Sequence, residues 1–256
     1  MKCNYKIGVI FIEINKIYNE DCLEGMKKIK DKSIDMILCD LPYGQTKNKW
    51  DSVIPLNELW RHYKRIIKDR GAIVLFGQGM FTAEVMLSNK SWWRYNLIWD
   101  KILPSGFLNA NRMPLRVHED IMVFYKKPPT YTPQKHRGKP NHSKGKPKEN
   151  ANNNYGEFGF VDNKEELGDM KHPKSILSHQ KPHPSKMIHP TEKSVELFEF
   201  LIKSYTSEGD TVLDNCIGSG TTAIAAINTN RNYIGFELDK NYFDLANDRI
   251  RDIKTA

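Results

Sequence analysis

The sequence is poor in cysteine, and its four (Cys3, Cys22, Cys39 and Cys216) form no Cys-x-x-Cys pair. That scatter argues against a disulfide framework or a cysteine-held zinc, and it fits a reducing cytosol, so a cytoplasmic location is expected. No stretch approaches the ~18 apolar residues of a membrane-spanning helix, so no membrane partner is expected. The apolar segment 7–14 is short, contains Glu13 and lacks a small-residue cleavage site, which does not read as a signal peptide. Gly-Lys-Ser and Gly-Lys-Thr are absent, which excludes a P-loop. Histidines are present at 136, 142, 172, 179, 183 and 189. Only His179 and His183 have the spacing of a helix-borne ligand pair, and Pro182 and Pro184 disfavour a helix there, so no metal is expected.

Acidic residues are scarce in one region. Between Lys126 and Lys186 there are thirteen Lys and Arg against six Asp and Glu, so nearly all of the chain's net +8 sits there. Those 61 residues hold six Leu, Ile, Val or Phe in all: Phe158, Phe160, Val161, Leu167, Ile176 and Leu177. Such a composition supports no core of its own and reads as an extended or partly disordered insertion, 126–186, between two ordered parts, 1–125 and 187–256.

Those two parts alternate strand and helix patterns. Residues 12–18 alternate like a strand, and 22–26 follow as a short helix. Asp35–Cys39 is a buried strand, and 45–51 is a polar, mobile loop apart from Trp50. Leu56, Leu59, Tyr63 and Ile66/Ile67 recur at helical spacing, which predicts an amphipathic helix over 56–68; Ala72–Phe76 is a strand, and Met80, Ala83 and Leu87 mark another helix. Tyr95–Trp99 and Ile121–Tyr125 read as strands joined by a loop over 100–118. Beyond the insertion come a helix over 195–205, a strand Thr211–Asp214, a glycine-rich loop, an Ala/Ile helix, a strand Tyr233–Glu237 and a closing helix. This order implies a mostly parallel sheet covered on both faces.

Two stretches carry chemistry. Gly218-x-Gly220-x-x-Ala223 opens a helix after a strand, and Glu237 ends the next strand, in position to accept hydrogen bonds from ribose hydroxyls. Alone, this unit fits a dinucleotide as well as S-adenosylmethionine. The second stretch, Asp40-Leu41-Pro42-Tyr43-Gly44, sets a carboxylate, backbone carbonyls and an aromatic face at one strand end. An aromatic amine is a poor nucleophile because its lone pair is delocalised into the ring. Asp40 and the carbonyl of Leu41 or Pro42 together hold both amine hydrogens and favour a pyramidal nitrogen, while Tyr43 stacks on the base at ~1–3 kcal/mol.

With both motifs in this order, the chain resembles a beta-class amino-DNA methyltransferase over nearly its whole length outside 126–186. The resemblance implies a Rossmann-like class I methyltransferase fold with a seven-stranded, mostly parallel sheet, and S-adenosylmethionine as cofactor. It also implies roles. Asp40, Leu41, Pro42 and Tyr43 are catalytic. Asp21, within Asn19–Leu23, lies near the cofactor adenine. His189, Thr191 and Lys193 hold its methionine part. Asp214, Cys216, Gly218, Ser219, Gly220, Thr221 and Thr222 form the principal cofactor motif, with Cys39, Asp40, Glu237 and Leu238 beside it. Arg116 and His118 belong to the stretch Arg116-Val117-His118-Glu119-Asp120-Ile121, which resembles a family stretch on the DNA side of the sheet. Three residues depart from the family pattern: Leu41 stands in place of Pro, Asn215-Cys216 in place of Pro-Phe, and Ser194 where Pro often follows the lysine.

The expected activity is methyl transfer to adenine N6 of a flipped-out base in double-stranded DNA, within a restriction-modification system. Cytosine N4 is the nearest alternative. More distant are an RNA amine methyltransferase, a nicotinamide-dependent oxidoreductase and an inactive DNA-binding protein. The basic insertion fits a DNA-reading segment, with Lys126, Lys135, Arg137, Lys139, Lys144, Lys146 and Lys148 facing phosphates. A cognate restriction endonuclease and a homodimer are further partners the resemblance allows.

Overall fold

A computed structural model of the chain describes residues 12–44, 52–140, 169–181 and 193–255. The expected loop 45–51 and the residues Lys144, Lys146, Lys148, His189 and Thr191 lie outside the described residues. The chain divides into two compact units, Met1–Thr132 with Ser175–Ala256, and Pro133–Lys174.

The first unit runs β1 (Lys16–Tyr18), α1 (Cys22–Lys27), β2 (Ile34–Cys39), α2 (Leu56–Ile66), β3 (Ile67–Gly77), α3 (Met80–Ser88), β4 (Trp93–Ser105) and β5 (Arg116–Phe124). In the second unit, β6 (His136–Arg137) pairs antiparallel with β7 (Met170–Lys171). The first unit resumes with β8 (Ile176–Ser178), α4 (Val195–Tyr205), β9 (Thr211–Asp214), α5 (Thr221–Asn228), β10 (Asn232–Phe236) and α6 (Lys240–Thr255).

The large sheet has the order β1-β10-β9-β2-β3-β5-β4-β8, with β5 antiparallel to both neighbours and every other pairing parallel. Among the described residues it therefore has eight strands rather than seven. The added one, β8, comes from the stretch expected to be an extended insertion. Ile98, Trp99 and Asp100 pair with Ile176, Leu177 and Ser178, and Leu177 is buried. A short apolar pair inside a polar segment is enough to close a sheet edge when the neighbouring strand leaves its hydrogen bonds open. The expected loop over 100–118 also shrinks. Asp100 pairs with His118 and Ser105 with Arg116, so β4 and β5 form a ribbon joined through 106–115.

The apolar runs follow from burial on both faces. Successive side chains of a strand alternate sides, so Met36, Leu38, Val74 and Phe76 join one core cluster with α4. Ile37, Cys39, Ile73 and Leu75 join the other with α1 and α2. Among the described residues no helix is long and apolar enough to cross a membrane.

Candidate active site

The chain leaves β2 outward in one direction and β9 in the other, so the sheet order reverses between these two strands. Ligands of open α/β sheets bind at the carboxyl ends of the strands at such a reversal. Asp40 follows β2 there, and Asp214 ends β9 next to it. A cavity of about 440 Å³ opens at this point, with Asp40, Tyr43, Glu119, Lys193, Asp214 and Glu237 among its walls. That volume is ordinary for a small-molecule site.

Asp40 does not stand alone. Its Oδ1 accepts a hydrogen bond from the Tyr43 hydroxyl at 2.7 Å, and its Oδ2 lies 3.1 Å from Lys193 Nζ. Lys193 also donates to Glu119 Oε2, and Lys101 Nζ lies 3.2 Å from Glu119 Oε1. The four charges form a chain, Asp40–Lys193–Glu119–Lys101, with two of each sign, its lysines buried and its carboxylates partly so. Lys193 further sits over the rings of Phe76 and Trp99, at 5.1 and 5.3 Å from their centroids. Burial works against its charge, but the facing carboxylates of Asp40 and Glu119 outweigh that and hold its proton more tightly than usual. Glu119 is likewise drawn down: burial opposes its ionisation, and Lys193 and Lys101 overcome the opposition. Asp40 is pushed up by burial, with Lys193 opposing and Glu119 assisting.

The side chain of Leu41 is buried among the α1 and α2 residues. The expected proline would fix this backbone through its ring; leucine fixes it by packing. Tyr43 rests against Phe81, ring centroids 4.8 Å apart.

The glycine-rich loop lies at the other side of the cavity. Gly218 and Gly220 both take positive φ, +51° and +85°, which a side chain strains to adopt. A Cβ on Gly220 would also meet Ala246 at 3.1 Å. The Gly218 amide donates to Glu237 Oε2 and the Asp239 amide to Oε1, each at 2.9 Å, so the Glu237 carboxylate is fixed at the end of β10. Each oxygen keeps a lone pair for a ligand hydroxyl. Thr221 Oγ1, at the start of α5, is buried without a hydrogen-bond partner and lines the cavity. A buried hydroxyl left unpaired is costly, and a ligand's polar group at this helix start would satisfy it. These residues suit a nucleoside with a charged tail, as S-adenosylmethionine is. Glu237 would hold the ribose, and the loop with Asp214 and Thr221 the amino-acid end.

Asp214 Oδ1 accepts the Cys216 amide at 3.0 Å, and Oδ2 accepts the Thr222 hydroxyl. Burial pushes its carboxyl up to about 7, against those hydrogen bonds. The folded state therefore binds this proton more tightly than the unfolded chain does. The resulting stability is full below the unfolded value and is lost as pH rises through about 7. Asp214→Asn removes that loss. Its stability relative to the parent is expected to rise by on the order of 2 kcal/mol between about pH 5.5 and about pH 8, read by denaturant titration of both proteins. A constant difference across that range refutes the buried charge.

The other expected residues are placed as follows. Cys216, Ser219, Thr222 and Leu238 line the cavity, whereas Cys39 is fully buried outside its lining, and burial pushes its thiol up to about 12. Asp21 lines the cavity but also caps α1, its Oδ1 accepting the amides of Leu23 and Glu24. Asn215 is buried, taking a hydrogen bond from the Tyr63 hydroxyl and donating to Cys216 Sγ at 3.4 Å. This accounts for Asn215 in place of Pro, since an amide here ties the loop to α2, whereas nothing in the structure explains Cys216 in place of Phe. Lys193, expected on the cofactor's methionine part, lines the cavity and is paired there with Asp40 and Glu119. Arg116 lines the cavity and donates to Gln78 at 2.9 Å; His118 is exposed one turn of the pleat away.

Lys126 is not brought to this end. It follows β5 at the opposite end of the sheet, 3.6 Å from Asp69, roughly 20 Å of strand from Asp40. Lys135, Arg137 and Lys139 are exposed in the second unit, where Arg137 faces Asp169 at 3.7 Å. Glu119 lies inside the stretch Arg116–Ile121 but was given no role of its own there; Lys101 and Lys181, which also line the cavity, had no sequence signal, because strand pairing alone brings them here.

The family model of the N6/N4 methyltransferases, described as DNA methylase, matches residues 34–248. The chain is 30% identical over 260 residues to Type II methyltransferase M.BglII of Bacillus subtilis, covering 91% of this chain and 68% of that protein. It is 29% identical over 258 residues to Type II methyltransferase M1.MboII of Moraxella bovis, covering 92% and 96%. Among solved structures, the M1.HpyAVI–SAM complex superposes with a TM-score of 0.60 at 26% identity, covering 91% of this chain and 98% of that one. The cytosine-N4-specific PvuII DNA methyltransferase shares the fold, with a TM-score of 0.64 at 17% identity, covering 93% and 87%.

Proposed function

The chain belongs to the N6/N4 family of DNA methyltransferases and uses S-adenosylmethionine, and from that premise we propose that it methylates the N6 amine of an adenine drawn out of duplex DNA. The observation that carries this reading is the Asp40 carboxylate sharing one cavity with the glycine loop and Glu237. Asp at the head of the motif is the adenine-type choice of the family that the sequence resembles.

When bound, S-adenosylmethionine supplies a methyl group already activated on a sulfonium, which leaves the protein to position the amine and receive its proton. Asp40 accepts one amine N–H and the carbonyl of Leu41 or Pro42 the other, which frees the nitrogen lone pair from the ring. Tyr43 offers its face to the base and steadies Asp40 through its hydroxyl. The methylated amine sheds one proton, and Asp40 receives it; its proton affinity is already raised by burial. Lys193 stays charged throughout and keeps Asp40 ionised before the base arrives. Lys101 and Glu119 hold Lys193 in line.

Expression of the chain in cells lacking DNA adenine and cytosine methylation, followed by sequencing of modified bases, tests the reading. N6-methyladenine at one short sequence is the expected result. N4-methylcytosine there would replace adenine as the target while keeping the family, and unmodified DNA from cells holding folded protein would overturn the reading.

A further inference from the structure

The β4–β5 ribbon continues past the sheet at the active-site end. Asp120 pairs with Gly77, the last residue of β3, and Arg116 stands four residues further out, roughly 13 Å of strand. At its tip Gly106 takes a left-handed turn, φ +91°, into a single 3-10 turn, Phe107–Asn109. Phe107 is 74% and Leu108 101% exposed, and Met113 is exposed beside them. Neighbouring large apolar side chains standing this far into solvent on a structured projection mark an interaction surface.

The chemistry around the tip selects the partner. From Lys101 to His118 the chain has no Asp or Glu, while Arg112 and Arg116 are exposed and Asn109 and Asn111 flank the turn. A second copy of the chain meeting this surface about a two-fold axis would set arginine against arginine with no acid to separate them. Duplex DNA offers what each group needs: phosphates for the arginines and base steps that open to apolar side chains.

We infer that the β4–β5 tip is a wedge for double-stranded DNA, with Phe107 and Leu108 entering the base stack beside the target while Arg112 and Arg116 hold flanking phosphates. The wedge rests on duplex DNA being the substrate. Drawing a base out of the helix costs a few kcal/mol of pairing and stacking, and an inserted side chain fills the gap the base leaves. The cost is least for a base that is already mispaired.

The test is the double variant Phe107→Ser/Leu108→Ser, whose side chains touch no core. Two substrates are used: a duplex carrying the methylation sequence mapped in cells, and the same duplex with the target base mispaired. On the paired duplex kcat/KM is expected to fall roughly ten- to a hundredfold, and on the mispaired one less than about threefold. Equal losses on both duplexes overturn the wedge, as does no loss on either. A change from dimer to monomer in sedimentation, with equal losses, assigns the surface to pairing between copies and overturns it too. A parent protein that methylates neither duplex overturns the substrate reading, and the wedge falls with it.

Discussion

Replacing Asp40 by alanine is expected to reduce methyl transfer by roughly 10³-fold or more while changing S-adenosylmethionine affinity only a few-fold. The split follows from where the carboxylate points. Asp40 faces Tyr43 and Lys193, whereas the residues suited to the cofactor's ribose and amino-acid end are Glu237, Asp214 and Thr221. Alanine removes one of two acceptors for the amine hydrogens and the acceptor for the departing proton. Deleting one oriented polar group at a reacting centre commonly costs roughly 10²–10³ in rate, and here two roles go together. The fold should survive, because Lys193 keeps Glu119 as partner. Initial rates with labelled S-adenosylmethionine and calorimetric titration of the cofactor read the two halves separately. Turnover within tenfold of the parent would remove Asp40 from the reaction.

The second large effect concerns Lys193. Lys193→Met is expected to destabilise the protein by about 3–5 kcal/mol, because it leaves the Asp40 carboxylate without its cation while Glu119 keeps only Lys101. Adding Glu119→Gln removes the like charge that acts on Asp40, so the loss in the double variant is expected to differ from the sum of the two single losses, a coupling that a double-mutant cycle measures. The sign with pH is also fixed. Lys193 opposes the effect of burial at Asp40, so without it the Asp40 carboxyl binds its proton more tightly still in the folded state, and the deficit should shrink as pH falls. A loss under about 1 kcal/mol, or strict additivity, would mean the charge chain contributes little.

Much of the fold was legible because helix and strand periods are written residue by residue. Met36 to Cys39 read as a buried strand, and alternation sends them to two core clusters. The glycine loop and the Asp40 stretch were legible because each is contiguous. What escaped was assembled across the sheet. Nothing near Lys101 in sequence shows that it will face Glu119; the register of β4 against β5 decides it. Lys193 was read through its motif neighbours, yet its partners come from β2 and β5, far away in the chain. The position of Lys126 was not legible either. Its charge belongs to a basic run, but the antiparallel course of β5 carries it to the end of the sheet away from Asp40. Ile176 and Leu177 were too few to register as a strand, and only the open edge of β4 makes them one.

That last pairing bears on where the polar segment can be exchanged without harm to the sheet. His179 N and O bond to Asp100 O and Trp99 Nε1, at 3.2 and 2.8 Å, so the chain is pinned to the sheet as soon as it leaves the second unit. A graft that replaces the second unit has its natural seams at 132/133 and 174/175. Cutting instead at the compositional boundary near 186 discards β8, bares the β4 edge to pairing with other chains, and invites aggregation whatever segment is put in its place.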